Sequence, residues 1–159
     1  MTSEIGIDRL DKRILETVST NGRITITDLA KKIGLSKTPC QLRLKRLEEA
    51  GIITGYKAML NPVKLGLDHV AFVEVKLTDT RNAALIAFNK AVMAVSEIEQ
   101  CHMIAGSHDY LLKVRSQDIQ EYRKIMGEVI SALPHVGNTS TYVSMEAVKD
   151  EFAGGDLGE

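Results

Sequence analysis

The sequence predicts an α+β protein in which an N-terminal winged helix-turn-helix is followed by a ferredoxin-like βαββαβ domain. Three capped helical patterns fill the first third of the 159 residues, and strand and helix patterns then alternate in the order strand-helix-strand-strand-helix-strand. The charge divides in the same way. Residues 1–60 hold 11 Lys and Arg against 7 Asp and Glu, a net +4, whereas residues 61–159 hold 9 against 14, a net −5.

These patterns predict four segments along the chain. We expect the winged helix-turn-helix in residues 1–52, a β-hinge or linker in 53–67 and the αβ domain in 68–149, with a flexible acidic tail in 150–159. The net charge of −1 for the whole chain is therefore the sum of two unlike parts. The first part is positively charged and suited to bind a polyanion, whereas the second is negatively charged and would repel one.

Capping residues mark the first two helices. Asp8 precedes apolar residues at a four-residue spacing, which predicts a helix that ends near residues 21–22. Thr25 and Asp28 are three residues apart and predict a capping box at the start of the second helix, while Gly34 predicts its left-handed end.

The third predicted helix begins at Ser36, with Pro39 tolerated in its first turn because first-turn N–H groups have no intrahelical acceptor. Cys40, Leu44 and Leu47 form its apolar stripe. No acidic residue occurs between Leu29 and Leu47, so the helix is expected to be unneutralised. The basic residues of this window are Lys31, Lys32, Lys37, Arg43, Lys45 and Arg46.

A cationic helix with short polar side chains at its N-terminus suits the major groove of DNA. Base reading is expected from the start of the helix, at Ser36, Lys37, Thr38 and Gln41, and phosphate contact from Arg43, Lys45 and Arg46. The alternative is that these cations form only a solvated helix face, as most charge runs do. The segment Gly51–Tyr56 is then expected to form a strand of a small wing.

The remaining two-thirds carry the patterns of a four-stranded sheet with two helices. The predicted elements are strands at 69–77, 98–105, 110–115 and 136–148, and helices at 82–95 and from Asp118 to Pro134. Helices on one face leave the other face of such a sheet open. We expect that open face to be too apolar for water and therefore to pair with a second copy of the chain.

Composition excludes several classes of protein. No apolar run is long enough to span a bilayer, and the acidic N-terminus lacks the pattern of a secretory signal, so a cytoplasmic protein is expected. Cys40 and Cys101 match no metal spacing and are expected to be free thiols, although a disulfide between them stays open. No catalytic triad, paired catalytic acids or phosphate-binding glycine loop is present, which argues against an enzyme.

Several motifs together resemble the Lrp/AsnC family of transcription regulators. In this sequence they read DRLD at 8–11, GRI at 22–24, GLSKTPC at 34–40, RLKRLE at 43–48 and GIITGY at 51–56, followed by GSHDY at 106–110 and TST at 139–141. The resemblance covers residue 8 to about residue 149. Two departures are Lys37, where the family often has proline, and Leu42, at a position that is often basic; both bear on target preference rather than on fold.

The resemblance implies a DNA-binding transcription regulator that responds to an amino acid or a related metabolite. It also implies a homodimer formed through the sheet, often assembled into octamers, and no cofactor beyond the small effector. The family's effector motifs fall here on two segments. They are Gly106, Ser107, His108, Asp109 and Tyr110 in the turn, and Thr139, Ser140 and Thr141 in the last strand.

The chemistry of an amino acid supports that assignment. Asp109 offers a carboxylate for the effector's ammonium group, Gly106 permits close backbone approach, and the three hydroxyls can bind its carboxylate. Without the resemblance, GSHDY is simply a good β-turn. His102 and His108 belong to no set with metal-ligand spacing.

Two other functions fit the same architecture. Some tetrapyrrole (haem-precursor) decarboxylases resemble it, and a low-specificity nucleoid-architectural protein would also carry a cationic helix-turn-helix. Absorbance with added haem distinguishes the first alternative, and a DNA footprint at low and high salt distinguishes the second.

Overall fold

The computed structural model describes residues 6–150 and divides the chain into two compact units, Met1–Ala58 and Met59–Glu159. The boundary falls inside the predicted hinge segment 53–67. The expected flexible tail, from residue 151 onward, lies outside the described residues. Among the described residues, no helix is both long and apolar enough to cross a membrane.

Three helices form the N-terminal unit: α1 is Arg9–Thr20, α2 is Ile26–Ile33 and α3 is Lys37–Glu49. The predicted caps of the first two are confirmed. Asp8 and Asp11 form a reciprocal capping box at the start of α1. Thr25 caps α2, but the Asp28 carboxylate accepts from its hydroxyl (2.7 Å) rather than from a backbone N–H.

The turn between α2 and α3 is set by Gly34, which ends α2 in the left-handed conformation with φ of 79°. Ser36 follows as the N-cap of α3 and makes no side-chain capping bond. Because only three residues separate the helices, α2 and α3 form the compact turn that was predicted. Their apolar sides meet α1 in a core whose fully buried members are Ile14, Leu29, Ala30, Ile33, Cys40 and Leu47.

The strand expected at Gly51–Tyr56 is not formed by this chain. Residues 51–58 have no ladder pairing, and Gly51 and Gly55 take positive φ angles of 69° and 154°. A strand requires a neighbouring strand to accept its N–H groups, and no described segment of the N-terminal unit supplies one. The segment is instead held to the helices by individual contacts, and the clearest of these are made by the Tyr56 side chain.

Tyr56 ties this segment back to the helices. Its hydroxyl donates to Oε1 of Glu48 at 2.8 Å. Its ring lies beside Gly22, where an added Cβ would be 3.1 Å from ring carbon Cδ1. Glycine at position 22 therefore leaves room for the ring. Partial burial, together with the hydrogen bond to Glu48, raises the pKa of Tyr56 to about 12.

The C-terminal unit is a four-stranded antiparallel sheet in the order β2-β3-β1-β4, which is the predicted ferredoxin-like arrangement. The strands are β1 (His69–Leu77), β2 (Ile98–Met103), β3 (Tyr110–Ser116) and β4 (Val136–Val143). The helices are α4 (Asn82–Val92) and α5 (Ile119–Lys124), and α5 continues through a π-helical turn and a 3-10 turn to Ala132.

The core of this unit lies between the sheet and its two helices. Ala71, Val73 and Val75 of β1 alternate toward Phe88 of α4 and Tyr122 of α5, and all five are buried. The predicted β1 is confirmed to the residue. The last strand ends at Val143, five residues earlier than the predicted Val148, and residues 144–150 form no further strand.

The open face of the sheet is less apolar than predicted. Phe72 of β1 is 36% exposed, Tyr142 of β4 is 56% exposed and Leu111 of β3 is half-buried, but charged side chains lie between them. On this face Lys113 pairs with Glu99 at 3.4 Å and also with Asp150. The prediction that this face is too apolar to be exposed to water is therefore wrong, because alternation along β1 and β3 brings charged residues to it.

We expect Tyr56 to contribute to stability in a pH-dependent way. Its pKa is about 12 in the folded chain and about 10 when unfolded. Because the folded value is the higher one, the contribution is complete below about pH 10 and is lost as the pH rises through about 12. Urea unfolding at rising alkaline pH, compared between the wild type and Tyr56→Phe, measures the difference. Identical pH dependence of the two proteins would contradict the assignment.

Candidate DNA-binding and effector sites

The face of α3 opposite its buried stripe is the candidate DNA-binding surface. Cys40 and Leu47 are fully buried against α1 and α2, and Leu44 is partly buried beside them. Lys37, Thr38, Gln41 and Lys45, like Ser36 at the N-cap, are exposed. Lys45 makes only an exposed pair with Glu49, at 3.4 Å. The predicted base-reading residues are thus accessible to a duplex.

A buried carboxylate in α1 fixes α3 in place. Asp11 is fully buried and accepts from two guanidinium groups of α3. Arg43 Nη1 lies 2.9 Å from its Oδ1, and Arg46 Nη2 lies 2.5 Å from its Oδ2. Hydrogen bonds between ionised groups are about twice as strong as neutral ones. Two such bonds, from adjacent turns of α3, fix its rotation about its own axis and its position along that axis relative to α1.

The same carboxylates organise the start of α1. Asp8 accepts from the backbone N–H groups of Leu10 and Asp11, and its own N–H donates to the Asp11 carboxylate at 3.1 Å. The second oxygen of Asp8 accepts from Arg43 at 2.6 Å. The backbone N–H of Asp11, followed by the bond from Arg43, lowers the pKa of Asp8 to about 2. Asp8 therefore stays ionised at neutral pH.

Arg13 ties α1 to the second helix in a different way. Its guanidinium donates to the carbonyl oxygens of Ile33 at 3.0 Å and Lys32 at 2.9 Å. These carbonyls belong to the last turn of α2, where no intrahelical donor is available, and a cation there also complements the helix dipole. The first half of α1 thus holds both members of the helix-turn-helix, α3 through Asp11 and α2 through Arg13.

These contacts correct the expectation of an unneutralised α3. No acid lies between residues 29 and 47 in the sequence, but two acids from α1 reach Arg43 and Arg46 in space. Arg43 retains only 28% of its side-chain exposure, so its predicted phosphate contact is replaced by an anchoring role. Arg46 keeps 46%, and phosphate contact by its outer part stays a prediction. Lys37 and Lys45 are exposed cations of this face that do not contact the carboxylates of α1, and Lys45 makes only its exposed pair with Glu49.

In the predicted effector turn, Asp109 is already occupied within the chain. Its carboxylate accepts from the backbone N–H of Leu77 at 2.8 Å and from Lys76 Nζ at 3.0 Å. The Leu77 N–H, followed by Lys76, lowers the pKa of Asp109. This carboxylate therefore fixes the turn to the end of β1. Its expected role as the free ammonium acceptor does not fit, because its partners are in place.

Glu74, on the open face of β1, is a carboxylate that the sequence analysis missed. Its Oε2 lies 3.1 Å from Nδ1 of His108 and accepts from the Tyr142 hydroxyl at 3.2 Å. Its cross-strand partner is Ser140. Glu74 thus stands between the 106–110 turn and β4, which are not adjacent in the sheet. Strand alternation with Ser140 directly opposite is the signal that could have found it.

The structure divides the remaining predicted effector residues between two faces. Gly106 and Ser107 are exposed, and a Cβ added at Gly106 would meet no atom within 4 Å. Tyr110 is buried in the core and donates to Asn89 at 2.8 Å. Register places Thr139 and Thr141 on the helix side, opposite Val75 and Val73, and Thr141 bonds the Tyr122 hydroxyl at 2.6 Å.

Of the three β4 hydroxyls, only Ser140 therefore shares the open face with His108. The predicted effector contacts of Tyr110 and Thr141 do not fit their positions, since both side chains have partners on the helix side of the sheet. No group of three His, Cys, Asp or Glu among the described residues has the arrangement of a metal site. Both cysteines, Cys40 and Cys101, are free thiols, and burial raises the pKa of each.

Both units match protein-family models. Residues 7–54 match the winged helix-turn-helix DNA-binding model, and residues 70–153 match the model of the Lrp/AsnC ligand-binding domain. Together the two matches cover most of the chain and agree with the two units of the structure.

Individual relatives agree with the family models. The chain is 61% identical over 145 residues to the proline dehydrogenase transcriptional activator of Rhodobacter capsulatus, covering 91% of this chain and 94% of that protein. It is 46% identical to the leucine-responsive regulatory protein of Haemophilus influenzae, covering 90% and 86%. Among solved structures, a Neisseria meningitidis transcriptional regulator in complex with L-Met aligns with a TM-score of 0.86 and 28% identity, covering 96% and 98%.

We expect Asp11→Asn to loosen α3 while the core stays formed. The amide keeps an acceptor for the Asp8 N–H, but it cannot neutralise Arg43 and Arg46. Loss of charge-assisted bonds costs about 1–3 kcal/mol of unfolding free energy, below the value for a fully buried pair because both arginines reach water. Urea unfolding measures this cost.

The freed arginines provide a second readout. Binding to non-specific DNA should become more salt-dependent, with the slope of log affinity against log salt steepening by up to about 0.9 per released cation. Asp28→Asn, which removes an exposed first-turn acid of α2, is the matched control and should leave the slope unchanged. A slope that stays the same in Asp11→Asn would contradict the anchoring role.

Proposed function

This chain belongs to the Lrp/AsnC family of transcription regulators, and from that premise we propose that it binds specific DNA sites through α3 and responds to L-proline. It is a DNA-binding transcription regulator with a ligand-binding domain, not an enzyme, so the tetrapyrrole decarboxylase alternative is wrong. The 61% identity to a proline dehydrogenase activator, against 46% to a leucine-responsive protein, favours proline as effector and activation of proline breakdown as output.

The proposal that α3 binds DNA rests on one observation: this helix has an exposed polar face and is anchored to α1. Gln41 presents an amide suited to adenine, and Thr38 presents a hydroxyl and a methyl group near the start of α3. Lys37 and Lys45 flank them as phosphate contacts. The Ser36 hydroxyl makes no capping hydrogen bond and can therefore also contact DNA.

The effector part of the proposal rests on the open face of the sheet. Glu74 binds the effector's ammonium group. Its carboxylate contacts only the His108 imidazole and the Tyr142 hydroxyl, whereas the Asp109 carboxylate is already bonded to Lys76 and to the Leu77 N–H. Gly106 and Ser107 of the turn, with Ser140 of β4, offer an open backbone and hydroxyls for the effector's carboxylate. His108 must give up its contact with Glu74 to admit the ligand.

The assembly is proposed to be a homodimer formed through the open sheet faces, with further association to an octamer. Phe72 and Tyr142 supply exposed aromatic surface on that face, and the charged residues between them restrict pairing to one register. The segments 1–52, 53–67, 68–149 and 150–159 keep their proposed roles of DNA binding, hinge, effector binding with assembly, and tail. The site of action is the cytoplasm.

Substitutions on α3 test the DNA proposal with a fragment that the wild type selects from a random pool. Gln41→Ala should weaken binding to that fragment by about 1–3 kcal/mol and leave non-specific binding unchanged. Lys45→Ala should weaken both and reduce the salt slope by about 0.9 per bound protomer. Gel-shift titrations over several salt concentrations measure both effects. Lys90→Ala, an exposed lysine of α4, is the control.

The DNA proposal fails if Gln41→Ala and Lys45→Ala both behave like the wild type. Selection of no preferred fragment by the wild type would instead establish the nucleoid-architectural alternative, in which salt-dependent binding carries no sequence preference.

Glu74→Gln tests the effector proposal, since it removes one negative charge and keeps the shape. We expect L-proline to bind at least tenfold more weakly, because a charge-assisted bond is worth about 1.5–3 kcal/mol. DNA binding without effector should be unchanged. Calorimetric titration with L-proline measures affinity, and Glu128→Gln, an exposed residue in the helical segment, is the control.

Gly106→Trp provides an independent test of the same site. A Cβ added at Gly106 meets no atom within 4 Å, so folding is expected to be preserved while the larger side chain fills the space for the ligand. An unchanged proline response in both Glu74→Gln and Gly106→Trp would reject this site.

A further inference from the structure

The outward face of α3 carries an exposed leucine among its polar side chains. Successive residues of an α-helix are rotated by about 100°, which places Leu42 almost opposite Cys40, the centre of the buried stripe. Leu42 is 64% exposed, whereas Cys40 is fully buried. Thr38 lies one turn before it and Lys45 almost one turn after it, both exposed. The leucine therefore occupies the middle of the face that reads DNA.

The fold does not use this leucine. The side chains that form the N-terminal core or pack against it include both neighbouring leucines of α3, Leu44 and Leu47, but not Leu42. Its exposure is thus a property of the surface and not of a loosely packed core. A single exposed leucine usually requires no explanation, but this one is surrounded by the polar groups of a recognition surface.

We propose that Leu42 contacts the 5-methyl group of a thymine and so determines sequence preference at that base pair. This proposal rests on the proposed function of α3. The thymine methyl is the apolar group among the base edges that the major groove presents, and aliphatic side chains contact it. A leucine on this face would be desolvated without compensation over any other base edge. Gln41 and Lys45, on either side of Leu42, supply polar contacts that set how deeply the leucine enters the major groove.

A protein partner for Leu42 is disfavoured by the charge around it. Lys37 and Lys45 flank it on the same helix, and the first 60 residues carry a net +4. An apolar contact between two copies at this face would bring those cations together. DNA, in contrast, satisfies the cations and the leucine in a single docking geometry.

Thymine-to-uracil substitution removes only the methyl group and leaves every hydrogen-bonding atom in place. We expect the full-length wild-type protein to bind about fourfold more weakly when one particular thymine of its selected site becomes uracil, since burying one carbon contributes about 0.8 kcal/mol. Leu42→Ala should bind the thymine and uracil versions equally at that position. Alanine favours the helix, so α3 should stay formed, which circular dichroism checks.

Ile86→Ala is the matched control, because Ile86 is 58% exposed on α4 in the other unit. It should keep the wild-type discrimination at the same thymine. Sedimentation of each variant shows whether its assembly is intact.

The outcomes separate this proposal from the function on which it rests. Sequence-selective binding by the wild type with no loss at any uracil overturns the role of Leu42 and leaves the DNA-binding function standing. Dissociation of the assembly in Leu42→Ala, with thymine discrimination kept, shows a protein contact and also overturns it. Failure of the wild type to select any sequence overturns both.

Discussion

The buried carboxylate of Asp11 is the constraint on which the proposed DNA-reading surface of α3 depends. A fully buried carboxylate is stable only when its charge and its hydrogen-bonding capacity are satisfied, and here two arginines of α3 and one backbone N–H satisfy them. Moving α3 along or around its axis would strand that charge in the core. The N-terminal unit therefore permits one placement of α3, and the outward direction of Thr38, Gln41 and Leu42 follows from it.

This arrangement divides the cations of α3 between two roles. Arg43 and Arg46 lie toward α1 and are held by Asp8 and Asp11, whereas Lys37 and Lys45 lie outward. Guanidinium groups suit the anchoring role because they carry several N–H donors, and Nη1 of Arg43 alone donates to both Asp8 and Asp11. Ammonium groups suit the outward role because a phosphate tolerates a mobile point charge. Asp8 and Asp11 do not repel DNA strongly, since Arg43 and Arg46 neutralise their charge locally.

Local signals made much of the fold predictable, and contacts between distant segments explain the rest. The caps at Asp8 and Thr25, the left-handed Gly34 and the alternation of His69–Leu77 all act within a few residues, and the structure has each of them. The anchoring of Arg43 by residues of α1 and the capture of Asp109 by β1 depend on chain segments more than thirty residues away. The strand predicted at Gly51–Tyr56 is absent for a related reason, because a strand needs a partner strand and the described residues of the N-terminal unit supply none. The helical period, counted from the stripe of Cys40, Leu44 and Leu47, would have placed Leu42 on the outer face, but the predicted site was chosen by charge and polarity and left it out.

In the C-terminal unit, β1 connects the proposed effector site with the proposed assembly face. It is a central strand, and through Glu74 it contacts His108 of the effector turn on one side and Tyr142 of β4 on the other. An effector that takes Glu74 must break or reorganise both contacts, and so must alter the face through which copies are proposed to associate. By linkage, whatever free energy the effector adds to association is the free energy that association adds to effector binding. A carboxylate shared by the ligand and by the assembly face is thus sufficient for coupling, without any change in the core beneath it.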